Sequence, residues 1–126
     1  MTDIFDTHAH YDNKAFDEDR EALLESLPSQ GVARVVNIGA SLASCRRTVE
    51  LTEAYDYIYG AIGVHPSETG ELDEEGFGQL REMCGAEKCV AIGEIGLDYY
   101  WKEPERGIQK KWFLRQLHLA KKTGLP

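Results

Sequence analysis

The sequence predicts an α/β fold: parallel strands with outer helices, amounting to the first four βα units of a TIM (β/α)₈ barrel. Three observations carry that expectation. A short apolar strand, a loop and an amphipathic helix recur four times along the 126 residues, and such alternation implies right-handed crossovers into a parallel sheet. Polar residues with metal-binding or acid–base chemistry stand at the ends of the first, third and fourth strands, at the rim where parallel α/β folds place their sites. Gly124-Leu125-Pro126 reads as a helix stop followed by entry into another strand. Four units are half of a barrel that typically takes about 250 residues. Residues 1–126 are therefore expected to be the N-terminal half of a single barrel whose C-terminal half is absent from this chain.

The elements follow in order. Residues 4–7 form a first strand, and 17–29 a helix with Leu23, Leu24 and Leu27 on its apolar side, stopped by Gly31. Residues 35–38 form the second strand. A helix starts near Ser41, with Leu42, Cys45, Val49 and Thr52 in a stripe at helical spacing. Residues 57–63 are the third strand, and 72–84 a helix interrupted by glycine. Residues 90–93 are the fourth strand. The last helix, 105–123, is expected to bury Ile108, Trp112, Phe113, Leu117 and Ala120.

Composition narrows the class. Apolar residues make up 42% and charged ones 29%, ordinary for a globular domain. No apolar run approaches the roughly 20 residues that span a bilayer. The first ten residues hold Asp3, Asp6 and two histidines, unlike a secretory signal, so a cytoplasmic location is expected. Cys45, Cys84 and Cys89 lack metal-site spacing and read as reduced thiols packed as small hydrophobes. The net charge is -8, which excludes a broad basic face for nucleic acid. Action on a phosphodiester would need bound cations to supply attraction.

His8-Ala9-His10 closes the first strand. Side chains at i and i+2 point the same way, so the two imidazoles project from one face as ligands suited to a divalent metal. Asp6 shares that face and could accept a ring N–H from behind. In the fourth strand, Val90, Ile92 and Glu94 alternate onto one face, while Ala91 and Gly93 face helices. An inward carboxylate needs a partner, which one metal, or two sharing its oxygens, would supply. Gly63-Val64-His65-Pro66 ends the third strand. Pro66 holds His65 extended, and that imidazole is either structural or active. Asp98 is either a turn former or a substrate contact.

With those residues in view, the sequence resembles the TatD family of metal-dependent deoxyribonucleases, within the amidohydrolase-like barrels. The resemblance runs the whole length. It rests on Asp6-Thr7-His8-Ala9-His10, on Gly63-Val64-His65-Pro66, and most specifically on Gly93-Glu94-Ile95-Gly96-Leu97-Asp98-Tyr99-Tyr100. Gln109, Phe113, Gln116 and Ala120 stand at the family's spacing, and Leu125-Pro126 at the start of its fifth strand. The resemblance implies that His8, His10 and Glu94 ligate metal, with Glu94 bridging two divalent cations (Mg²⁺, Mn²⁺ or Zn²⁺) in the complete protein. It places His65 beside the substrate phosphate, and it draws two further histidines and an aspartate from later strands. The expected activity is hydrolysis of DNA phosphodiesters in short or single strands, with Glu94 and His65 in the catalytic set and Asp98 beside the substrate. Ester or amide hydrolysis, such as removal of an amino acid from tRNA, uses the same metals. A non-catalytic half-barrel is the third reading. No membrane partner is expected. A dimer, or a complementary C-terminal half, would cover the open strand edges.

Overall fold

The computed structural model describes residues 3–126. Its strands are β1 (Ile4–Ala9), β2 (Val32–Ile38), β3 (Ile58–Ile62) and β4 (Cys89–Ile92). They alternate with helices α1 (Arg20–Ser26), α2 (Leu42–Ala54), α3 (Glu74–Met83) and α4 (Arg106–Thr123). One sheet runs in the order β1-β2-β3-β4, with every neighbouring pair parallel. Four βα units with outer helices are what the alternation predicts, and they are what forms. No helix among the described residues is long and apolar enough to cross a membrane.

The two faces of the sheet differ. Toward the helices, Val35 and Ile58 pack with Leu24, Leu27 and Leu51. Ile62, Val64 and Ile92 pack with Phe77, Leu80, Trp112 and Leu119. Fully burying a side chain such as Leu80 contributes roughly 1.5–3 kcal/mol. The opposite face holds a small cluster of Val36, Ile38 and Ala61, flanked by Tyr59 and Ala91. β1 and β4 are open edges of this sheet, and Ile4 and Phe5 on β1 are more than half exposed.

Three local expectations change. Residues 17–19 form a turn ahead of α1 rather than its first turn, because the Arg20 guanidinium reaches back to the Tyr11 and Asn13 carbonyls and the Asp17 carboxylate. α1 ends at Ser26, and Pro28–Gln30 form a separate 3₁₀ turn stopped by left-handed Gly31 at φ 96°. In β4, Ala91 faces the small inner cluster and Ile92 faces the helices, the reverse of the expected alternation. The ladder decides this: Ala91 pairs with Ala61 and Ile92 with Ile62, and paired residues share a face.

On α4 the buried stripe is Gln109, Trp112, Gln116 and Leu119, while Ile108 and Leu117 are exposed. Two glutamines displace the expected aliphatics because both are fully partnered. Gln116 accepts from the Val64 N–H at 2.8 Å and donates to its carbonyl at 3.2 Å. Gln109 accepts from the Asp98 N–H at 2.8 Å and donates to its carbonyl at 3.0 Å. Gly76 does not interrupt α3. Asp73 caps that helix by accepting from the Gly76 N–H, and the missing Cβ lets α2 approach through Leu42.

Candidate metal centre

β1 delivers its two histidines to the rim at the carboxyl ends of the strands. The His10 Nδ1 lies 3.0 Å from the Ile38 carbonyl at the end of β2. A carbonyl only accepts, so Nδ1 carries the proton and the neutral ring presents a bare Nε2. The His8 and His10 Nε2 atoms stand 3.1 Å apart, with the rings edge to face at 80°. Nitrogens brought this close share either a proton or a cation. The Glu94 Oε2 lies 3.7 Å from both. Among the described residues, this is the one group of three histidine, cysteine or acidic side chains that converges closely enough to hold a metal ion. Donors arranged tetrahedrally at about 2.0–2.1 Å from Zn²⁺ stand roughly 3.3 Å apart, so the spacing fits.

Glu94 lies two residues beyond β4, which is at the far edge of the sheet from β1, and its route explains how it arrives. β4 ends at Ile92. Gly93 then donates to the Ile62 carbonyl at 3.0 Å, and the Glu94 N–H donates to the Gly39 carbonyl at 2.8 Å. The chain thus passes over the end of β3 to reach the end of β2. A Cβ on Gly63 would stand 2.6 Å from the Gly93 carbonyl carbon, so this crossing requires glycine at 63. Cys45 braces the crossing from the helix side, its Sγ donating to the Gly63 carbonyl at 3.1 Å. Burial pushes that thiol up to about 12, so it stays protonated.

β3 contributes His65 with the opposite wiring. Its Nδ1 accepts from the Ser67 N–H at 3.0 Å and lies 2.8 Å from the Ser67 hydroxyl. An amide N–H only donates, so Nδ1 is bare and the neutral ring carries its proton on Nε2. That nitrogen is 3.9 Å from the Glu94 Oε1. The His65 N–H donates to the Ala40 carbonyl, and Gln116 holds the preceding residue through both its backbone polar groups.

Asp6 accepts from the backbone N–H of His8 at 3.2 Å rather than from a ring. The Ile38 carbonyl takes the ring-holding position expected of it. The Asp98 carboxylate accepts from the Tyr100 N–H, forming a turn. It does not join the cleft of about 410 Å³ lined by His10, His65 and Glu94.

Three polar residues around this cleft escape a reading by motif. Asn37, fully buried, accepts from the Tyr11 N–H at 2.7 Å and donates to Asp12 at 3.0 Å and Thr48 at 2.8 Å. It fastens the loop that follows His10. Asp12 is 5% exposed and lies 3.7 Å from Arg47. A signal for Asn37 exists in the sequence: an amide inside the run Val35-Val36-Asn37-Ile38 must be satisfied by something.

Residues 5–126 match the family described as TatD related DNase. An uncharacterized metal-dependent hydrolase, YabD of Bacillus subtilis, is 42% identical over 123 residues, covering 98% of this chain and 48% of that protein. The 3'-5' ssDNA/RNA exonuclease TatD of Cronobacter sakazakii is 29% identical, over 98% of this chain and 47% of its own length. The crystal structure of YJJV, a TatD homolog of Escherichia coli, superposes with a TM-score of 0.88 at 33% identity, over 98% of this chain and 48% of that one. The chain spans about half the length of the curated relatives it matches.

Proposed function

The chain belongs to the TatD family of DNase-related proteins, and on that premise we propose that it forms the N-terminal half of a metal-dependent hydrolase of single-stranded nucleic acid phosphodiesters. The observation that carries this reading is the convergence of the His8, His10 and Glu94 donor atoms within a family that includes a named single-strand exonuclease. His8 and His10 offer Nε2 lone pairs to a divalent cation, and Glu94 offers two oxygens that could serve two. Divalent cations supply charge neutralisation at a phosphate and acidify water. The protein's own groups do the rest. The Ile38 carbonyl fixes the ligand tautomer of His10, Asp6 anchors the backbone of His8, and Gly63 clears the path of Glu94.

His65 takes a different role. With its proton on Nε2 and that atom facing the cleft, it donates a hydrogen bond to a phosphoryl oxygen rather than ligating metal. The remaining ligands come from a complementary half that also covers the β1 and β4 edges. A cytoplasmic location is in keeping with three free thiols.

Metal-loaded protein assayed on single-stranded DNA ends and on an aminoacyl ester tests the substrate. Nucleotide release above a metal-free control is expected. Fast ester cleavage without nucleotide release would overturn the reading in favour of an ester or amide hydrolase.

A further inference from the structure

Two cations line the cleft beside the candidate ligands, Lys14 on the loop after β1 and Arg47 on α2. Several other basic groups elsewhere on the surface are already engaged. Arg20 is committed to loop carbonyls and Asp17, Arg46 to Gln79, Lys88 to the carbonyls that end α2, and Arg115 to Glu74. Among the described residues, neither Arg47 nor Lys14 donates a side-chain hydrogen bond. Arg47 instead has a countercharge: Asp12, nearly buried, at 3.7 Å. That separation exceeds hydrogen-bond distance, so Asp12 holds the guanidinium in place while its N–H donors remain available. Asp12 is itself fixed by Asn37, whose amide also donates to Thr48 of the same helix as Arg47. A buried carboxylate, an amide and a helix are thus arranged so that one arginine faces the cleft.

We propose that Arg47, oriented by Asp12 and accompanied by Lys14, binds a backbone phosphate of the substrate strand next to the one at the metal centre. The inference rests on the nucleic-acid reading above and sharpens it. A neutral ester would leave both cations idle, whereas a polyanion uses them. On a chain of net charge -8, attraction for a phosphate strand must come from such local sites. Arg47 is a substrate-binding residue, and Asp12 and Asn37 are positioning residues acting through it.

Binding of fluorescent oligothymidylate to the Mn²⁺-loaded chain, followed by anisotropy across a salt series, tests the proposal. Arg47→Ala should weaken binding roughly tenfold and reduce the steepness of the log–log salt slope by about 0.7, the single-strand value for one phosphate contact. Arg47→Lys should restore the slope but not the full affinity. Lys14→Ala, at an exposed position, should also flatten the slope, and it serves if loss of Arg47 destabilises Asp12. Calorimetric Mn²⁺ affinity should be unchanged in every variant. Unaltered salt slopes in both alanine variants overturn the proposal. Inorganic phosphate is a separate probe, read from the Arg47 Nε–H resonance. A phosphate response with no oligothymidylate binding keeps the anion site and discards the nuclease reading; absence of both overturns both.

Discussion

The rims after β1 and β3 each present one histidine tied to the backbone through Nδ1, and they are tied in opposite senses. His10 donates to a carbonyl and His65 accepts from an amide. The same side chain thus turns a bare Nε2 toward the cleft at one rim and a protonated Nε2 at the other, which suits the first to ligation and the second to hydrogen-bond donation. What a histidine can do is set by the atom behind it, and neither motif reveals that atom. His10 meets its partner because β1 and β2 are adjacent and β2 ends at Ile38. His65 meets its partner because Pro66 opens a 3₁₀ turn that folds the Ser67 N–H back onto the ring.

The largest expected effect separates the two rims directly. His10→Ala should lower metal affinity by more than roughly a hundredfold, since loss even of outer partners of metal ligands costs 10–100-fold. His65→Ala should leave metal affinity within about twofold and weaken oligonucleotide binding roughly tenfold instead. Isothermal calorimetry and anisotropy on the same two variants read both.

Gln116→Leu is next, acting on one rim only. It strips the partners from both backbone polar groups of Val64, so thermal or denaturant unfolding should report a loss of about 2–4 kcal/mol. Metal affinity should change far less than in His10→Ala. Gly63→Ala, by contrast, perturbs the route that joins the rims. Its Cβ would collide with the Gly93 backbone, and displacing Glu94 should lower metal affinity about tenfold, with a stability loss of about 1–3 kcal/mol.

The smallest effect lies at the opposite end of the sheet, where β4 begins. The neighbouring Cys84 thiol holds the Cys89 thiol below the ordinary cysteine range. Alkylation of Cys89 should therefore rise with pH around a midpoint below that of an ordinary thiol. Cys84→Ala should move that midpoint upward, and metal should shift it in neither protein.

Most of the framework could be read from sequence because period and punctuation carry it. The four strands, their order and the outer helices follow from apolar runs between helical stripes, and Gly31 stops the helical turn ahead of β2 where local chemistry says it should. His8, His10 and Glu94 meet, yet the alternation that seemed to deliver Glu94 inward is not what delivers it. Ile92 points to the helices, and Glu94 arrives only after the chain leaves the ladder and crosses Gly63. Gln109 and Gln116 mark the other limit. Apolar periodicity assigns burial to Ile108 and Leu117, whereas the buried stripe is completed by two amides whose partners lie 11 and 52 residues away in sequence. Asn37 and Asp12 are hidden for the same reason: their meaning lies in tertiary hydrogen bonds.

The most direct test of the opposed wiring is long-range ¹H–¹⁵N spectroscopy of the imidazoles during a Zn²⁺ titration. Expected are an Nδ1–H tautomer for His10, an Nε2–H tautomer for His65, and metal-induced shifts at the Nε2 atoms of His8 and His10 with one ion weakly bound per chain. The same tautomer at both rims, or Zn²⁺ coordination by His65, would contradict it.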